Sequence, residues 1–419
     1  MTGTKRTVLY IGAMLSIAFG FLTPKVHNYS HDGRQLYVGA HLLLLGKNPY
    51  DHQQLVRGYA EFAHEAHGVD QSPAPQIHLP ATFVALAPLT LLPWPVFCWM
   101  QILLNAFCIP VVAYICLRRC FVQPPIPILC LSAFCIAILP GTWQNFALGQ
   151  IALPISVLTF GTIELLKTQN SRLGVPAVLL ALVKFTLSLP LLAYSFFIGS
   201  RAARLILAAG LAIFIFINLF GVLLIGPRQF LSSYEQNNSA TFSAGTQNDI
   251  HGEGRRARVD LECLLSSLPN PLEVSATKIV IGGILFTGFM YRRPKVEITI
   301  ADLSALSLFA LILFYHRTYD TVLLSPCIIL VLMFLLDRRL AGFRALFAGL
   351  LVITLAAIGS DNHNVVDVLL RHVNTRQPTY FKALCLLLDA LVLVFGILLP
   401  SREDCDRQTT NLKPTAAPS

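Results

Sequence analysis

The sequence predicts an all-α polytopic membrane protein, a bundle of about ten spans with short broken, re-entrant and interfacial helices. Three observations predict it. Of 419 residues, 55% are hydrophobic and 13% charged, with mean hydropathy +0.63, whereas soluble domains carry about 25% charged residues. Apolar runs recur from residue 7 to residue 400, many near the roughly 20 residues that a bilayer requires. Basic clusters punctuate those runs, as expected where cations fix orientation. The net charge of +9, from 31 Lys+Arg against 22 Asp+Glu, therefore points to topology and anionic lipid rather than to nucleic acid.

The elements follow in order. The run at 7–24 trails Lys5 and Arg6 and ends in Phe21-Leu22-Thr23-Pro24. It lacks a small-x-small cleavage pattern and reads as a retained span. Residues 25–80 are polar and form a first external loop. Within it an amphipathic helix is expected from Gly33 to Leu45, closed by Gly46, with a turn at Asn48-Pro49. The runs at 95–117, 147–166 and 203–226 are long enough to cross. Those at 81–93, 173–185 and 187–199 are too short and are bordered by Pro or polar residues, which marks broken or re-entrant helices.

Orientation comes from the short connections. With Lys5-Arg6 in the cytoplasm, 81–93 not crossing, and 173–199 entering and returning, every basic cluster falls inside. These are Arg118-Arg119, Lys167 with Arg172, Arg201 with Arg204, Arg292-Arg293 with Lys295, and Arg338-Arg339 with Arg344. Residues 25–80, 227–276, His316–Asp320 and 359–382 then face outward, so function is expected on the external face of the cell membrane. Residues 1–400 form a single integral-membrane domain. Segment 235–260 is polar and Gly-rich, expected as a mobile loop or lid, and 401–419 reads as a disordered cytoplasmic tail.

Ten cysteines, most within or beside apolar runs, make no disulfide scaffold, and no CxxC spacing appears. No Walker motif, GxGxxG fingerprint or GxSxG elbow is present, which argues against a nucleotide-driven or Rossmann-type enzyme. No cofactor and no metal cluster is implied, although Asp51 near Asp32 leaves a divalent ion open.

Several polar residues sit where chemistry is possible. Asp32, eight residues past Pro24, reads either as a cap for the helix that follows it or as a general base at the water–lipid boundary. Lys184 lies between two apolar half-helices. It reads as a snorkelling anchor or, since an ammonium at membrane depth is costly, as a cation facing a polar cavity or an anion. His316 and Arg317, in the turn Tyr315–Asp320, suit a phosphate or an interface belt. Asn145 and Gln150 offer amides at the head of a span, as sugar sites and helix caps both do. A transporter or lipid flippase would also use broken helices and an intramembrane lysine, but its polar residues should be reachable from both sides.

Asp32 precedes Tyr37-Val38-Gly39-Ala40 and the element Leu45-Gly46-Lys47-Asn48-Pro49-Tyr50-Asp51. Leu79-Pro80, Ala87-Pro88-Leu89, Leu92-Pro93, Gly149-Gln150 and Leu182-Val183-Lys184 come after. In this order the chain resembles glycosyltransferase family 87, the integral-membrane GT-C enzymes formerly grouped as domain of unknown function 2029, over roughly residues 7 to 340. The resemblance implies an inverting transfer of mannose or a related sugar on the external face. The donor is a polyprenyl-phosphate sugar and the acceptor a lipid-linked or glycan molecule. It implies Asp32 as catalytic base, Lys184 and His316 (with Arg317 beside it) near the donor phosphate, and a substrate-binding set of Tyr37, Asn48, Tyr50, Asn145 and Gln150. Phe185 stands where the family usually has Pro, and Leu79 where a Pro-Pro pair is common.

Overall fold

The computed structural model describes residues 31–61, 73–241, 258–265, 271–292, 298–314, 316–337, 341–359 and 377–397. The expected first span at 7–24 and the tail at 401–419 lie outside them. The described chain is helical, with one isolated antiparallel bridge between Arg258 and Arg317 and no strand.

Outside the bundle proper, α1 (His31–Leu44) and α2 (His52–Glu61) are short helices. α1 ends at Gly46, whose φ of +67° is left-handed, as the sequence indicated. α3 (Pro80–Leu86) runs into a 3-10 turn (Ala87–Leu91), so 81–93 forms a short apolar helix. α4 (Trp94–Leu117) is a full-length apolar helix. α5 (Ile126–Ala137) and α6 (Pro140–Leu148) meet at a 63° bend where Pro140 starts the second helix. Trp143–Phe146 lie within this second helix. α7 (Ala152–Thr168) follows a left-handed Gly149.

α8 (Ser171–Ala181), a 3-10 turn (Leu182–Lys184) and α9 (Phe185–Ile198) come next. By length and apolarity alone, Ser171–Ile198 would cross a membrane in one pass. Its packing shows otherwise. Lys184 has φ −120° and ψ 72°, which is not helical. Gln169 before α8 and Ile198, Gly199 and Ser200 after α9 line one cavity of about 280 Å³ together with Lys167 and Ile298. The two half-helices therefore leave and return to the same end of the bundle. α10 (Arg201–Ile225) then rises beside α8, Gly210 against Val178 and Gly174 against Ile206.

The remaining elements are α11 (Pro227–Thr241), α12 (Leu261–Leu265), α13 (Pro271–Arg292) and α14 (Ile300–Leu313). After a 3-10 turn (Thr318–Leu324) come α15 (Ser325–Leu336), α16 (Phe343–Gly359) and α17 (Gln377–Leu391). α14 is buried over nearly its whole length, because α9, α15 and α17 surround it. The stretch 227–276 is thus more than a loop. α11 packs on the first layer, with Asn237 donating to the carbonyls of Tyr50 and Gln76 at 2.8 and 3.2 Å. Residues 242–257, the centre of the expected lid, lie outside the described residues.

Among the described residues five stretches are long and apolar enough to cross a membrane, or six if the bent pair counts as one. Among the described residues, full-length spans are thus fewer than the apolar runs there suggested. Prolines and Lys184 cut several runs, and others fold as helices of 10–17 residues, of which α14 is covered by protein. At one end Arg119 pairs with Glu164 and donates to the Ile298 carbonyl, Lys167 pairs with Glu164, and Arg201 opens α10. Asp32, Lys184 and His316 gather at the opposite end.

The hairpin of half-helices depends on small residues. A Cβ on Gly210 would lie 2.5 Å from Cγ1 of Val178, whereas one on Gly283 would meet nothing within 4 Å. Gly210→Leu should destabilise the protein in detergent by about 1–3 kcal/mol, the usual cost of overpacking, while Gly283→Leu leaves the melting temperature near that of the parent. Equal melting of the two variants would show that α8 and α10 are not in tight contact.

Candidate functional site

The site is assembled from two clusters. The first surrounds Asp32. Asp32 lies in the first turn of α1, where unpaired helical N–H groups favour a carboxylate. Its Oδ2 accepts a 2.5 Å hydrogen bond from Nε2 of Gln150. Gln150 is itself held from α4: Asn105 donates to its carbonyl at 3.2 Å, and Gln101 donates to the carbonyl of Gly149. The close approach requires Gly33, where a Cβ would sit 2.8 Å from Oε1 of Gln101 and 3.0 Å from the Gly149 oxygen. Asp32 is the second residue of α1, and its Oδ2 is held by the Gln150 side chain rather than by a helix N–H.

The second cluster forms where α8 breaks. Nζ of Lys184 forms an ion pair with Oδ1 of Asp320 and lies 4.5 Å from the centre of the Tyr319 ring. Oδ2 of Asp320 is 3.0 Å from Nδ1 of His316. Lys184 thus faces an anion, as membrane depth demands, rather than snorkelling to water. His316 is fully buried, and its Nε2 has no hydrogen-bond partner. Arg317 stacks 5.9 Å from Tyr319, and its backbone bridges to Arg258. Arg258 is locked by Asp260 and Glu262, so the segment 258–265 is fastened over His316, whose carbonyl accepts from the N–H of Val259 at 3.1 Å.

Asn145 joins the two clusters. Its Nδ2 donates to the carbonyls of Gly141 and Tyr319, both at 2.8 Å, and its Oδ1 accepts from the N–H groups of Ala152 and Leu153. All its bonding capacity serves the fold. The same holds for most of the expected sugar contacts. Tyr37 is buried and donates to the carbonyls of Leu92 and Thr90 at 2.8 and 3.3 Å. Asn48 accepts from the N–H of Tyr50 at 3.0 Å, an Asx turn that shapes the Asn-Pro-Tyr element. Tyr50 donates to the carbonyl of His78 at 2.6 Å within a ring cluster of Phe83, Phe230 and Tyr234. Tyr37, Asn48, Tyr50 and Asn145 thus make their hydrogen bonds within the protein, close to the two clusters. The sequence separates the two roles poorly because both use amides and phenols.

His78 and Asp320 stand beside Lys184, and the sequence alone did not single them out. Burial, and then the Lys184 ammonium, push the His78 imidazole down to about 4, with Asp320 opposing. His78 stands immediately before Leu79-Pro80, where the sequence departs from a Pro-Pro pair, and that departure was the available signal. Thr82, four residues on, donates to the carbonyl of Val183 at 3.0 Å and fixes this strip beside the helix break.

His78 makes a pH prediction. Its folded pKa lies below the ordinary 6.5, so the unfolded chain binds the proton first as pH falls. Its contribution to stability is present above about pH 6.5 and is lost as pH drops toward 4. The ring is partly exposed, so the loss is smaller than the full shift implies. Melting temperature across that window should fall less steeply in His78→Gln than in the parent. Parallel curves would remove His78 from the linkage.

A carboxylate held by Gln150, a cluster of cationic groups at a helix break, and a helix that bridges them lie at one end of the bundle. Against known families, the model of glycosyltransferase family 87 matches residues 78–326. No curated protein matches, and no solved structure matches. The match includes Lys184, His316 and Asp320 and begins at His78, while Asp32 precedes it. It extends over more than half of the 419 residues, and the chain belongs to glycosyltransferase family 87.

Proposed function

We propose that this membrane glycosyltransferase moves a hexose, mannose in our reading, from a polyprenyl-phosphate donor to a lipid-linked or glycan acceptor, with inversion. Asp32 takes the proton of the acceptor hydroxyl on Oδ1, the oxygen that Gln150 leaves uncommitted. The hydroxyl oxygen bonds to the anomeric carbon as the bond from that carbon to the phosphate oxygen breaks. The electron pair departs with polyprenyl phosphate. Lys184, Nε2 of His316 and Arg317 face the charge that develops there.

The observation that carries this reading is the Lys184–Asp320–His316 cluster. It holds a lysine whose charge is already shared with a carboxylate, plus a buried imidazole nitrogen lacking a partner. Such a cluster supplies modest positive charge, suited to one phosphate more than to a diphosphate. Membership of a transferase family sets the transporter reading aside, and both clusters lie at one end of the bundle, as one-sided chemistry requires.

Two variants test the roles separately. Asp32→Asn keeps the size of the side chain, and turnover should fall by about 10²–10⁴-fold, the usual share of a general base, with donor affinity retained. Lys184→Met should do the reverse, weakening donor affinity first. Transfer rate and donor binding measured on each purified variant decide it: near-normal transfer by Asp32→Asn removes Asp32 from the mechanism, and unchanged donor binding by Lys184→Met removes the phosphate role.

Orientation follows the same logic. The basic end carrying Arg118, Lys167 and Arg201 belongs in the cytoplasm, which places the site outside. Exposed single cysteines at Lys47 and Arg201 provide the probe. An impermeant thiol reagent on intact cells should label position 47 and spare position 201. The opposite pattern would move the site to the cytoplasm.

A further inference from the structure

Arg34 has a place in the structure that the donor and base assignments leave unexplained. Its side chain is 1% exposed, and Nε and Nη1 have no hydrogen-bond partner. A guanidinium stays charged in a protein and offers five donors. Burying it without an acceptor is expensive, because the lost hydration is not replaced. Here the compensation comes from ring faces: the guanidinium carbon lies 4.6 Å from the centre of Tyr59 and 5.9 Å from that of Trp94. Rings stabilise a cation, but they accept no directed hydrogen bond. The nearby Asp32 does not close the gap, since its Oδ2 is occupied by Gln150 and no ion pair joins it to Arg34 among the described residues.

We infer that Arg34, flanked by Tyr59 and Trp94, is a subsite for an oxyanion carried by the acceptor. The inference rests on the transferase reading above and adds the chemical class of the acceptor. Residues 32 and 34 are both in the first turn of α1, on opposite faces of the helix. Asp32 faces Gln150 and the α6–α7 turn, and Arg34 faces α2 and the start of α4. Besides burial, the Tyr59 phenol feels both charges, Arg34 favouring its ionised form and Asp32 opposing it, so the base and the guanidinium share one end of α1. An acceptor that carries a phosphate or carboxylate near its accepting hydroxyl would satisfy both. The donor phosphate has its own cations at the α8 break, on the Gln150 side of α1. The planar fork of Arg34 suits bidentate capture of an oxyanion, and its aromatic walls keep water from screening the pair.

Two measurements on the purified full chain test the subsite. In the first, Trp94 reports on its neighbour. Titration with inorganic phosphate, followed by tryptophan fluorescence, should give a saturable change in the parent. Losing one charge-assisted bidentate contact should weaken it about 10-fold or more in Arg34→Met, with Arg34→Lys in between because the charge remains and the fork is gone. No change in the parent, or equal responses from parent and Arg34→Lys, overturns the subsite even if Arg34→Met does not fold.

In the second, membrane lipid is separated by charge, and sugar transfer from polyprenyl-phosphate mannose is followed into the acidic and neutral fractions. Label should enter the acidic fraction, with a raised acceptor KM and unchanged donor affinity in Arg34→Lys. Transfer into the neutral fraction alone overturns the acceptor assignment. Absence of donor turnover alongside a normal phosphate response counts against the donor reading and leaves the subsite standing.

Discussion

Lys184 can remain at membrane depth because Asp320 reaches it. That ion pair joins the break between α8 and α9 to the turn following α14, two segments 136 residues apart in sequence. The same carboxylate orients His316 through Nδ1. One buried anion therefore fixes the position of two cationic or donor groups and leaves Nε2 of His316 available. Removing it would strand a lysine in a low-dielectric setting, which is more damaging than losing an exposed pair.

The break itself is possible only because the protein, not lipid, surrounds it. A helix interrupted inside a bilayer frees backbone groups that must find partners. At Val183 the carbonyl accepts from Thr82, and the flanking half-helices pack on α7 and α10. The strip from His78 to Thr82 thus repairs the backbone at the break and brings an imidazole beside Lys184. Repair of the broken backbone and placement of a ring beside Lys184 therefore come from the same short strip.

The first layer is ordered in the same economical way. Gly33 allows α1 to touch the Gly149 turn, and that turn presents Gln150 to Asp32. Asn145 then links the turn to Tyr319, next to Asp320. The spacing between Asp32 and the Lys184–Asp320–His316 cluster is consequently set by backbone carbonyls and one fully engaged amide, which is the kind of support that holds side chains within a narrow geometry.

Much of this was legible in the chain. Low charge and long apolar runs determined a helical membrane bundle, because only helices or closed barrels satisfy the backbone in lipid. The placement of Arg118, Lys167 and Arg201 determined that one end is basic. Gly46, Asn48 and Pro49 determined the end of α1 and the turn after it, since their backbone preferences are local. A lysine between two short apolar segments signalled a re-entrant hairpin, which the shared cavity beside Lys167 bears out. Tertiary structure alone decided which polar residues meet. Tyr37, Asn48, Tyr50 and Asn145 resemble substrate ligands in sequence, yet Tyr37, Tyr50 and Asn145 bond carbonyls of distant segments, and Asn48 bonds Tyr50 and the side chain of Ser233. Asp320 looks like an ordinary turn residue until Lys184 arrives from α8. A side chain's type shows what bonds it is able to make, but only packing assigns its partners, and those partners lie tens to hundreds of residues away.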